Sequence, residues 1–242
     1  MKKVTIFLIT ATLTLMFFSF LPGCKKNTAV YSCNPKLNDW VTKNMDQYDS
    51  ISRDSLVLIS DLDSQLAIYA SLSATHKMNL WIQKLQKVQA TYGLSTDENN
   101  YIQTAINYFQ ASYWASNSSL DAFNTWITSW ANTGRTNYGW DDYKVYIIAE
   151  SLMTEAETNT YHYVHTGDPT TINEYFVNIG HGSLNPVNPA PGGPTQEDCN
   201  CRYQMSCWMQ NTDSHCESNN CGDSYKCGLM SSSRCSGHCV HD

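Results

Sequence analysis

Eight of the ten cysteines in this 242-residue chain fall in its last 44 residues: Cys199, Cys201, Cys207, Cys216, Cys221, Cys227, Cys235 and Cys239. The large apolar side chains of the same segment are few, chiefly Met205, Trp208, Met209, Leu229, Met230 and Val240. A segment this short cannot hold a shape by apolar burial alone. It needs covalent cross-links or a metal. The compartment in which the chain folds decides between the two.

The other end of the chain supplies the address. Met1-Lys2-Lys3 is a short basic start, and Val4 to Phe20 is an uninterrupted run of apolar and small residues. Leu21-Pro22-Gly23-Cys24 follows, with a small residue directly before a cysteine. The pattern is a secretory signal with a lipobox-like end, and it resembles bacterial lipoprotein signals. That resemblance implies cleavage before Cys24, diacylation of its thiol, and a membrane as partner through an N-terminal lipid anchor. The rival reading is an uncleaved span. Its apolar run is near the lower limit for crossing a bilayer, and it gives Cys24 no purpose. Neither an Asp nor an acidic run follows Cys24. By the sorting rules of such signals, the expected location is the outer membrane of a Gram-negative bacterium, with the face left open.

An exported chain meets an oxidising environment, so four disulfides are the economical reading of the eight tail cysteines. Each would contribute about 2–4 kcal/mol by restricting the unfolded chain. Eight cysteines allow too many pairings for the sequence to choose among them, and Cys33 is left over. The metal reading would draw on Cys199, Cys201, His215, Cys216, His238, Cys239 and His241, whose spacings match no standard zinc module. The expectation is no metal and no cofactor.

Charge narrows the partners. Four of the 15 basic residues and none of the 22 acidic ones lie in residues 1–26, so the remainder is strongly acidic. That argues against nucleic acid as a partner, and against adhesion to anionic lipid as a main role. The 15 Tyr and seven Trp suit a helical core or a contact surface.

Between residues 34 and 165 the apolar spacing is helical. Leu37, Trp40, Val41 and Met45 share one face behind Asn34-Pro35. A second helix is expected over 54–71, with Leu58, Ile59, Leu62, Leu66 and Tyr69 inward. Ser73 caps a third, carrying Met78, Trp81, Leu85 and Val88 and stopped by Gly93. Ser95 to Glu98 forms a capping box before Ile102, Ala105, Ile106, Phe109 and Tyr113. A helix over 119–132 groups Leu120, Phe123, Ile127 and Trp130, and Thr133-Gly134 breaks it. Asp141 or Asp142 opens the last, with Val145, Ile148, Leu152 and Met153. The fold class is mainly α: a helical bundle-like domain over 34–165, an irregular Pro/Gly-rich linker over 166–198, and a small disulfide-rich tail over 199–242. Residues 1–23 are the signal and 24–33 the tether. The linker implies that the tail is displayed and does not pack into the helical core.

Two stretches together resemble a known family. One runs Ala67-Ile68-Tyr69-Ala70-Ser71-Leu72-Ser73 through Lys77 to Leu80-Trp81 and Lys84-Leu85. The other is the tail, opening Cys199-Asn200-Cys201 and closing Cys235-Ser236-Gly237-His238-Cys239. They look like the bacteriocin fulvocin C-related proteins, which pair a helical N-terminal region with an eight-cysteine C-terminal segment. The resemblance covers roughly residues 50–110 and 198–240. It implies a disulfide-knit, antibacterial tail and carries over no catalytic residue. The tail's three basic and four acidic residues set it apart from the cationic peptides that attack membranes.

Other chemistry reads as weaker. His162 and His165, near Glu155 and Glu157, have a spacing that could ligate a metal on a helix, but a helix there is doubtful and the pair reads as ordinary surface histidines. Glu150, Glu155 and Glu157 could suggest hydrolytic carboxylates, although acids on a helix usually form its solvated face. The chain contains no Gly-x-Ser-x-Gly, His-Glu-x-x-His, P-loop or dinucleotide fingerprint. The expectation is a non-enzymatic exported lipoprotein whose tail meets an unknown macromolecular target. The alternatives are a surface adhesin or glycan-binding protein using Tyr203, Trp208 and Tyr225, and a hydrolase built on helix-borne carboxylates.

Overall fold

The computed structural model describes residues 31–32, 35–178 and, in the tail, 214–218, 225–227, 229–231, 233–234 and 237–241. Cys24, Cys33, most of the linker, Cys199, Cys201, Tyr203, Cys207, Trp208, Cys221 and Cys235 lie outside them. The region from 35 to 178 is mainly helical. Helix α1 (Pro35–Asn44) runs into a 3-10 turn (Met45–Tyr48), and α2 (Arg53–Leu56), α3 (Leu62–Ser71), α4 (Ala74–Thr91) and α5 (Thr96–Tyr108) follow. A 3-10 turn (Ala111–Trp114) leads to α6 (Asn117–Tyr138), α7 (Asp142–Val145), a π turn (Tyr146–Glu150), α8 (Glu155–Thr166) and α9 (Ile172–Asn178). The starts are written in the sequence. Ser52, Asp61, Ser73, Ser95, Ser116, Asp141 and Thr154 each accept a backbone N–H of the helix they open. Gly93 has a φ of +68° after α4, the left-handed stop its position implied.

Several boundaries differ from the pattern of apolar spacing. The helix expected over 54–71 is two. Asp61 takes the Ser64 N–H and begins α3 anew, and Gln65 Nε2 donates to the Ile59 carbonyl at 2.6 Å to close the loop between them. Leu58 sits in that loop and is 81 % exposed, and Trp40 is also largely exposed. Helix α6 does not break at Thr133-Gly134 but runs on to Tyr138. Gly134 is instead a notch for Trp140, because a Cβ there would lie 2.2 Å from Trp140 Cε3. The helix from Asp142 becomes a π turn, so Leu152 and Met153 lie beyond it. Helices α8 and α9 occupy stretches expected to be doubtful or irregular. Thr154 and Glu157 form a full capping box at the start of α8, and Glu174 caps the Thr171 N–H at 2.7 Å.

Two apolar clusters result. The larger joins α3 to α6 around Trp81, Leu85, Ile102, Phe123 and Ile127, all 1 % exposed or less. The smaller joins Val57, Leu62, Tyr161, Ile172 and Phe176. The π turn serves both. Its wide spacing sends Tyr146 and Ile147 to the smaller cluster, while Ile148 and Ala149 go to the larger.

The described residues of the tail form two antiparallel pairs. β1 (Ser214–Ser218) pairs with β4 (Gly237–His241), and β2 (Tyr225–Cys227) pairs with β3 (Ser233–Arg234). The second pair is a hairpin whose tip, Leu229–Ser231, is a short 3-10 turn.

Candidate functional site: the seat of the tail

The hairpin tip is not displayed, contrary to what the linker implied. Met230 is fully buried, Leu229 and Ser231 are nearly so, and Leu229 and Met230 belong to the larger helical core. The tip packs against α6 and the π turn, β2 against α3, and β3 against α6. At its floor, Trp81 Nε1 donates to the Tyr69 hydroxyl at 3.1 Å. Burial pushes the Tyr69 hydroxyl well above its ordinary pKa, so it stays a neutral hydrogen-bonding group. Met230 and Ser231 have φ of +48° and +55°, left-handed values that side chains other than glycine rarely take. Such backbone persists where the surroundings over-determine it, and here burial of the Met230 side chain does so. The Pro-rich linker misled because it reports on the chain entering the tail, whereas the contact is made by Leu229 and Met230, about thirty residues further on.

Among the sequence-predicted tail residues, Cys216, Tyr225, Cys227 and Cys239 fall on described strands. The ladder sets Cys216 directly opposite Cys239 and Glu217 opposite His238. Cys227 ends β2 at the base of the buried tip.

A second polar centre lies beneath α2. Arg53 is 1 % exposed, and its guanidinium makes four hydrogen bonds. Nε donates to the Leu152 carbonyl at 2.7 Å, Nη1 to Glu157 at 3.1 Å and Asp54 at 2.5 Å, and Nη2 to the other Glu157 oxygen. Lys87 bridges the same two carboxylates at 2.8 and 3.0 Å. Burial alone would raise the Glu157 carboxyl. The bonds from Arg53, Lys87 and the Thr154 N–H outweigh it and hold the group well below the usual carboxylate range. These partners favour the ionised Glu157, and it is not the solvated face expected of it. Lys84 is fully buried beside this cluster and donates to the Met153 carbonyl. Burial, with Arg53 nearby, drives its pKa far down. The carboxylates Glu150, Glu155 and Glu157 do not converge as a hydrolytic pair. Glu155 accepts from the Tyr143 hydroxyl, and Glu157 serves Arg53.

His162 of α8 is likewise built in, which corrects its reading as a surface residue, whereas His165 is exposed, as that reading expected. His162 is fully buried, with Nε2 3.8 Å from Asp168. His165 stacks on Tyr161 at 4.0 Å, and its ring nitrogens lie 2.7 and 2.6 Å from the Tyr161 and Ser60 carbonyls. No group of three potential metal ligands occurs among the described residues. No helix among them is long and apolar enough to cross a membrane.

Comparison with protein-family models, with curated proteins and with solved structures finds no match to this chain.

Proposed function

We propose that this protein is an exported, non-enzymatic lipoprotein related to bacteriocin fulvocin C. Lipidated Cys24 anchors it in the outer membrane, and its disulfide-stabilised tail acts by binding a macromolecule, most concretely in antibacterial action. The observation that carries this reading is the facing of Cys216 and Cys239 on β1 and β4, in a segment with eight cysteines behind a secretion signal. Directly opposed residues of an antiparallel pair have Cα atoms about 4.5–5.5 Å apart, within the span a disulfide bridges. The seat of Leu229–Ser231 supports the reading further. It ties the hairpin tip to the helical core.

The mature protein, isolated without reductant and with thiols trapped, should gain about eight hydrogens on reduction of the tail, two per bridge. The oxidised whole protein should inhibit related bacteria, and the reduced, alkylated protein should not. Raising salt should weaken the effect little, because the tail is near neutral and salt screens only charge. Eight trapped thiols, or equal activity after alkylation, would sink the proposal.

A further inference from the structure

Helices α5 and α6 enclose a shallow groove of about 310 Å³ that continues along α6 into a second of about 500 Å³; the two share Ser129 and Thr133. Among the described residues the lining of both is aromatic, hydroxyl or amide, with no carboxylate, amine or guanidinium. From these features we propose that the groove binds a neutral saccharide.

The aromatic side of the groove is Tyr108 and Trp126, with ring centroids 4.1 Å apart and planes 15° apart. Tyr108 is 42 % exposed, a large apolar surface for a surface helix to leave open. Sugar rings offer C–H faces that pack on such surface, while their hydroxyls demand hydrogen bonds. The polar side meets that demand with both donors and acceptors. Thr104 and Thr133 spend their hydroxyl protons on the Tyr101 and Ser129 carbonyls, at 2.6 and 3.0 Å. Their oxygens are left as acceptors. The Ser129 hydroxyl and the Asn132 amide, both exposed, can donate.

An independent observation sits in the groove wall. Trp130 lines it and is 95 % buried, yet its indole N–H has no hydrogen-bond partner. A buried donor without an acceptor is costly and uncommon in a native structure. Stacking of Tyr101 on Trp130 at 5.2 Å and 7° holds the indole in place. The described lining offers no cation, and phosphate, nucleotide and acidic peptide each call for one. The site is on the helical region and does not depend on the tail's activity.

The test is titration of the full mature protein with maltotriose, cellotriose and triacetylchitotriose, followed by tryptophan fluorescence and calorimetry. At least one should bind saturably, with an affinity unchanged by added salt. Trp126→Ala and Thr133→Val should each weaken it about tenfold or more, with an unchanged helical circular dichroism melt. Tyr108→Ala, at a more exposed ring, should do the same if Trp126→Ala unfolds. The idea is overturned if none of the three sugars binds the folded protein or if the variants bind as the parent does. Concentration-dependent self-association that Tyr108→Ala abolishes would also overturn it, because the groove would then be an interface between two copies.

Discussion

In the helical region, burial is distributed. Each of α3 to α6 contributes a residue such as Ala67, Leu85, Ile102 or Ile127 that is fully buried, and the helices carry their own caps. In the tail, the side chains described are Leu229, Met230 and Ser231, all buried, and the core they enter belongs to the helices. One region therefore makes its own interior, and the described tip of the other enters that same interior through Leu229 and Met230. A long segment with period-3.6 apolar faces can afford the first arrangement. A short segment with few apolar residues cannot, and it combines a borrowed socket with cysteines at close spacing.

Paired truncations test this contrast most strongly. Trp81→Ala should cost about 3–5 kcal/mol and lower the melting temperature of the whole helical region in one cooperative step. Met230→Ala should cost about 2–5 kcal/mol by the same rule, with a different signature. The tail should become open to limited proteolysis while the helical melt stays cooperative. A tail that remains protected in Met230→Ala would show that covalent links, and not the socket, hold it.

Gly134→Ala should give a smaller loss. The added methyl meets the Trp140 ring, and overpacking of this kind costs about 1–3 kcal/mol. Thermal denaturation should show α6 destabilised although alanine is the better helix former. A more stable variant would mean that the notch is not needed.

The smallest effect expected is an acid dependence confined to the helical region. Glu98 accepts from Trp140 Nε1 and the Ser95 N–H at 2.9 Å and pairs with Lys144. Burial opposes its charge, but these partners prevail and lower the carboxyl from 4.5 to about 2. A depressed carboxyl stabilises fully above its unfolded value, so the contribution is present above about pH 4.5 and fades as pH falls towards 2. Glu98→Gln should flatten part of that slope, with Glu157 supplying more of the same sign. An unchanged slope would remove Glu98 from the account.

Much of the helical region was legible because its signals are local. Caps at Ser73 and Ser95, the stop at Gly93 and the inward set of Trp81, Leu85 and Val88 need only nearby residues. The same reasoning could have found α8 and α9, since Thr154 with Glu157 and Thr171 with Glu174 repeat the Ser95–Glu98 box. It failed at Gly134, where local propensity says break and a distant indole requires a missing side chain. It failed also at the buried Arg53, whose partner Glu157 is 104 residues away.

By itself the sequence determined the helical class and most helix starts. These follow from periodicity, hydrogen-bonding caps and composition, which act within a few residues. Only the tertiary structure decided that Met230 fills a socket between α6 and the π turn, that Cys216 faces Cys239, and that Tyr108, Trp126 and Trp130 line one groove. Each of these joins elements far apart in the chain, and burial of one side chain against another is a property of the packed molecule, with no counterpart in local order.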